Sequence, residues 1–104
     1  PSEILLKRQA ELIKLLPAWK DDETKIFAEN FFLDESLEKR KAATLKVFEE
    51  AGAIIKTTEL ISQNQLRGSF MLEGVKKNVS IFFTLTPEKE ALIQQLDIEV
   101  VEKK

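Results

Sequence analysis

The chain contains no cysteine, no histidine and no tyrosine, and only three glycines, three prolines, one methionine and one tryptophan in 104 residues. Without cysteine there is neither a disulfide framework nor a thiolate nucleophile, a usage that suits both a cytosol and a periplasm. Without histidine the commonest general base is missing, and losing both removes the usual zinc ligands. Without tyrosine a steroid-isomerase-like pair of tyrosine and aspartate cannot be built. No charge of one sign dominates: 16 Lys and Arg against 18 Asp and Glu leave a net charge of -2. There is thus no bulk attraction to nucleic acid or anionic membrane. Apolar runs fall far short of the roughly 20 residues that span a bilayer, so membrane insertion is not expected. Glycine-rich phosphate loops and metal-spaced carboxylates are not seen, and no cofactor or metal is expected. The chain begins at Pro1 rather than Met, which leaves room for a removed leader or a second domain.

What is present reads as one domain over residues 1–104. The 43% hydrophobic and 33% charged fractions are those of a folded soluble chain. The segment Lys25–Ser36 stands out. It holds Phe27, Phe31 and Phe32 with Ile26 and Leu33, apolar on nearly every side of a helical wheel, the pattern of a buried helix.

Around it, helix one is expected over 2–16. Leu5, Leu12, Ile13 and Leu16 form its stripe, Lys7, Arg8, Glu11 and Lys14 its polar side, Ser2 its cap, and Pro17 its stop. Helix two is expected over 22–33, capped by Asp21 with Asp22 and Glu23 in its first turn. Helix three follows over 36–51, with Leu37, Thr44, Leu45, Phe48 and Ala51 inward, a solvated face at Glu38–Lys41, and Gly52 as its left-handed stop. The period then changes from 3.6 to 2. Strands are expected over 53–62, 65–73, 79–85 and 91–101, the first with poor alternation that suggests a bulge.

Three helices followed by a four-stranded antiparallel meander segregate into the α+β class. A sheet curling around helix two resembles a cystatin-like or nuclear-transport-factor-two-type cone, a shape that often holds a pocket between sheet and helices. Asn30 falls inside the apolar arc of helix two and, if buried, needs a hydrogen-bond partner. It ties the helix to neighbouring backbone, or it is the polar handle of a pocket lined by Trp19, Phe27, Phe31 and Phe70. Strict alternation turns Phe82 to the outer sheet face, where Met71 and Ile93 would join it in an apolar patch that marks an interface.

No residue stands out as catalytic. Glu29 and Asp34 are the carboxylates nearest the aromatic segment, but solvent and capping account for them. Ser36 and Lys39 match Ser-x-x-Lys, yet the companion motifs are absent and a helix start explains Ser36. Asn78-Val79-Ser80 is a glycosylation sequon, with meaning only in a eukaryotic secretory host.

Phe27-Ala28-Glu29-Asn30-Phe31-Phe32-Leu33-Asp34, Ser36-Leu37 with Arg40, Gly52, Asn64 to Phe70, Leu85-Thr86-Pro87-Glu88 and Leu92-Ile93-Gln94 occur in this order over roughly 19–100. In order and spacing they resemble the cystatin-like amino-terminal domain found ahead of β-lactamase-type serine hydrolase domains in bacterial proteins, a clavam-biosynthesis protein among them. The resemblance implies an accessory, non-catalytic domain whose partner is a hydrolase domain or a second copy, as a homodimer. It also implies a bacterial envelope or secreted location; without it, a cytoplasmic one is expected. A small-molecule-binding or isomerase-like cone is the alternative.

Overall fold

The computed structural model of the chain describes residues 2–16, 18–19 and 21–103, with 21–23 as backbone only. It is an α+β fold with three α-helices: α1 (Glu3–Leu15), α2 (Phe31–Asp34) and α3 (Leu37–Ala51). Five antiparallel strands follow, β1 (Ile54–Thr57), β2 (Ile61–Asn64), β3 (Arg67–Gly74), β4 (Asn78–Leu85) and β5 (Ile93–Val101).

α1 starts where expected. The Ser2 hydroxyl accepts the Leu5 N–H at 3.3 Å and donates to the Gln65 carbonyl at 3.0 Å. It ends at Leu15, and Leu16 is extended, as the residue before a proline prefers; Pro17 itself lies outside the described residues. The buried stripe is Leu5, Arg8, Leu12 and Leu15, and Ile13 turns to solvent. Arg8, expected on the polar side, is thus in the core at 4% exposure. Its Nε donates to the Ala91 carbonyl at 3.0 Å and its Nη1 meets Glu11 at 2.7 Å. A stem of three methylenes lets arginine occupy an apolar stripe provided the head finds acceptors. Arg8→Met would keep the packing but orphan the buried carbonyl, and urea unfolding is expected to show a loss of about 2 kcal/mol.

The expected helix over 22–33 is not formed as one piece. A 3-10 helix covers Asp21–Ile26, Phe27 makes a parallel bridge to Ile93, and α2 begins only at Phe31. The side chains of Asp21, Asp22 and Glu23, and with them the expected cap, lie outside the described residues. The break has a physical reason. A continuous helix would hold Asn30 among phenylalanines, and an unpaired buried amide costs about 1–3 kcal/mol. In the folded chain Glu29 and Asn30 form an exposed turn. The Ala28 N–H donates to the Ile93 carbonyl at 2.8 Å, and the Phe31 N–H to Ala28 at 3.0 Å. Phe27 then stacks on Phe31 and Trp19, and Phe32 meets all three edge-on, with centroids 4.4–6.3 Å apart.

α3 is capped by the Ser36 hydroxyl, which accepts the Lys39 N–H at 3.2 Å, and stops at Gly52 with φ +77°. Thr44 and Ala51 are buried, Leu37, Val47 and Phe48 half-buried, and Leu45, expected inward, is exposed. Within the expected solvated face, Arg40 is half-buried instead, its guanidinium 3.8 Å from the Phe31 ring centre and its Nε on the Glu35 carbonyl at 3.1 Å.

The single strand expected over 53–62 is two. β1 and β2 pair with opposite ends of β3, giving the order β1/β2–β3–β4–β5 and five strands rather than four. Between them the chain leaves the ladder so that Leu60 reaches the core, while the Thr58 hydroxyl accepts the Met71 N–H at 2.8 Å. Phe70 and Leu72 of β3 and Val79, Ile81, Phe83 and Leu85 of β4 face the helices, as their alternation requires.

In β5 an extra residue, Gln94, sits where Leu85 pairs with Ile93 but Thr84 with Gln95. That bulge reverses parity at the start of the strand, so Ile93 points inward and is fully buried. Ile93 is therefore part of the core and not of the outer patch in which it was expected.

Candidate functional site

All the α-helices lie against one face of the sheet; the residues of the other face alternate out of the core. Its rows follow from the register: Ile61–Ser69–Phe82–Asp97, then Met71–Ser80–Glu99, with Lys56–Glu73–Asn78–Val101 at one end and Asn64–Arg67–Thr84–Gln95 at the other. Ile61 is 67% exposed, and Met71 and Phe82 are half-buried. A groove of about 400 Å3, bordered by Ile61, Ser69, Phe70, Met71 and Ser80 with Thr58 and Glu59, runs over the apolar part. Nearby cross-strand pairs on one face reinforce one another, and the Arg67 guanidinium lies 5.6 Å from the Phe82 ring centre.

The two expected groups of site residues separate here. Met71 and Phe82 come together on the outer face. Ile61, one of several isoleucines and leucines of a strand read as irregular, joins them because the Thr58–Leu60 excursion restarts the alternation. Nothing in the local pattern distinguished it from Ile55.

The residues expected to share one pocket are divided: Trp19 borders a cleft between α3 and β5, and Phe70 borders the groove on the outer face. Asn30 is exposed and its side chain caps nothing. Trp19, Phe27, Phe31 and Phe70 are buried. Trp19, at φ +53°, donates its indole N–H to the Thr44 hydroxyl at 3.2 Å, which donates to the Arg40 carbonyl at 2.6 Å. It also touches a cleft of about 210 Å3 between α3 and β5, walled by Glu35, Arg40, Val47 and Asp97. Phe70 packs edge-on against Phe83, with centroids 6.3 Å apart.

The three side chains weighed for catalysis are each accounted for locally. Glu29 and Asp34 are in solvent, and the Ser36 hydroxyl is held by its own helix. Among the described residues no three acidic side chains are grouped to hold a metal ion. None of the helices described is long and apolar enough to cross a membrane. No protein-family model, curated protein or solved structure matches the chain.

Proposed function

We propose that this chain is a non-catalytic protein-interaction domain that self-associates through the outer face of its sheet. The observation that carries the reading is the Ile61–Met71–Phe82 patch on a face that none of the described helices covers. Self-complementarity of the patch makes a second copy the occupant we propose. A two-fold axis parallel to the strands would lay the β5 margin, with Asp97 and Glu99, over the partner's β1/β2 margin, where Lys56 stands beside Glu59 and Glu73. Met71 and Phe82 would stay near the axis. Such an isologous contact is self-complementary and closed.

Its size sets its strength. Strands about 4.8 Å apart and about 25 Å long give a face near 500 Å2, at the small end for a specific interface. A dimer held only at micromolar concentrations is the expected result. The finer form of the fold that we propose is a cystatin-like or nuclear-transport-factor-two-type cone, as the resemblance of 19–100 suggests. The same resemblance makes a serine hydrolase domain the rival occupant.

Light scattering across a wide concentration range tests the reading. The mass is expected to rise from monomer to dimer, and Phe82→Glu to hold the chain monomeric by placing a charge at the centre of the patch. A monomer at all concentrations would exclude self-association and leave the hydrolase domain as the occupant to test. A dimer indifferent to Phe82→Glu would move the interface off this face.

A further inference from the structure

At one end of the outer face, beyond the apolar patch, a second groove of about 360 Å3 opens where β2, β3 and β4 meet the bulge of β5. Its walls are Arg67, Thr84, Gln94 and Gln95, with Leu66 and Pro87 supplying apolar surface. Asn64 also borders it, with its Oδ1 engaged by the Leu66 N–H at 2.8 Å. Among the described residues no acidic side chain lines this groove; along β5 the next is Asp97, already engaged by the Gln95 amide at 3.1 Å.

Two side chains with donors that no described residue takes up border it. Thr84 is 5% exposed, and its Oγ1 has no hydrogen-bond partner among the described residues. A buried hydroxyl left unpaired is costly and rare. An amide flip, which could repair an unpaired asparagine, is not open to a threonine. Its cross-strand neighbour Arg67 carries a full guanidinium with no ion pair or side-chain hydrogen bond among the described residues, only the Phe82 ring. A guanidinium offers five N–H donors in a planar fork, the geometry that takes a carboxylate on two oxygens. The bulge at Gln94 adds side-chain amides from two consecutive residues to the same rim.

We propose that this groove binds a carboxylate carrying a short apolar body. One carboxylate oxygen would accept from the Thr84 hydroxyl and the other from the Arg67 guanidinium, with the apolar body on Leu66 and Pro87. An uncharged amide of the same shape satisfies neither donor as well. The carboxylate could come from a free small acid or from the end of a peptide chain, and the two are separated by experiment.

The test is a nuclear magnetic resonance titration of the full 104-residue chain with hexanoate and with N-acetyl-Ala-Ala-Leu, each beside its amide, up to roughly 20 mM. The expected result is saturable shifts at Arg67, Thr84, Gln94 and Gln95 for at least one acid, with a midpoint of about 1 mM and at least fivefold weaker binding of its amide. Whichever acid is the better discriminated names the source. Arg67→Gln is expected to weaken the acid fivefold or more. Thr84→Val, which removes the hydroxyl and keeps the shape, is expected to weaken it severalfold with the dispersed spectrum of a folded chain. Equal binding of acid and amide, shifts centred on Ile61 and Met71 instead, an unchanged spectrum for both acids, or unaltered affinity in Arg67→Gln would each overturn the proposal.

Discussion

Replacing Trp19 with alanine is expected to lower the unfolding free energy by about 4 kcal/mol, the middle of the range for truncating a buried aromatic. Three separate losses converge. The indole is 1% exposed, so its whole apolar surface would be replaced by a cavity. Its stack on Phe27 at 5.5 Å and its edge contact with Phe32 at 6.3 Å both vanish. The Thr44 hydroxyl loses its indole donor, although it keeps the Arg40 carbonyl. The backbone at Trp19 is held at φ +53°, a conformation that disfavours any side chain with a Cβ. The Trp19 N–H to Leu15 carbonyl bond at 2.9 Å and the packing of the ring hold it there. A domain of this size commonly has about 5–15 kcal/mol in total, so the urea midpoint should fall steeply. Trp19→Phe separates the losses: it keeps the ring in the aromatic cluster and omits the indole N–H, and about 2 kcal/mol is expected. Equal midpoints for Trp19→Ala and the parent chain would mean that the aromatic cluster does not hold α1, α2 and α3 together.

Gly74→Ala is the second large effect, at about 3 kcal/mol. Gly74 ends β3 against the last residue of α3. A Cβ there would collide with the carbonyl oxygens of Ala51 and Lys77, both main-chain atoms that cannot rotate away. Moving either one disturbs a shared network. Ala51 accepts from the Lys76 N–H at 2.8 Å and from Lys77 at 3.2 Å, and the Gly74 N–H donates to Lys77 at 3.1 Å. The Gly74 carbonyl also accepts from the Lys103 ammonium at 2.7 Å, so the same turn anchors the chain beyond β5. Gly68→Ala is the control. Its Cβ would meet the tip of Leu60 at 3.0 Å, a flexible side chain that can shift, and a cost of about 1 kcal/mol is expected. If chemical denaturation ranks the two variants the other way, the β3–β4 turn is not the rigid junction described here.

How much of this was legible in the sequence depended on whether one element or several set the outcome. The alternation of Phe70 and Leu72, and of Val79, Ile81, Phe83 and Leu85, specified two strands and their inner faces, because a side-chain period of 2 leaves no other way to bury them. The same alternation placed Met71 and Phe82 on the opposite face. Ser2, Ser36 and Gly52 marked helix ends because capping is a local bond between residues three or four apart. Where the pattern was apolar on all sides, periodicity had nothing to select. Residues 22–33 could satisfy a helix wheel, but Asn30 and Glu29 required solvent, and a 3-10 helix, a bridge to Ile93 and a short α2 provide it. The burial of Arg8 was not legible in the local pattern because its acceptor, the Ala91 carbonyl, lies 83 positions away.

The sequence by itself determined the α+β class, the main helix starts, the parity of β3 and β4, and the absence of cysteine, histidine and tyrosine chemistry. Each of these rests on composition or on interactions between near neighbours. Tertiary structure alone decided that Ile93 turns inward at the bulge, that Ile61 joins Phe82 outside, and that Thr84 and Arg67 stand side by side with donors unspent. Bulges and cross-strand neighbours are set by how strands register on one another, and register is a property of the assembled sheet.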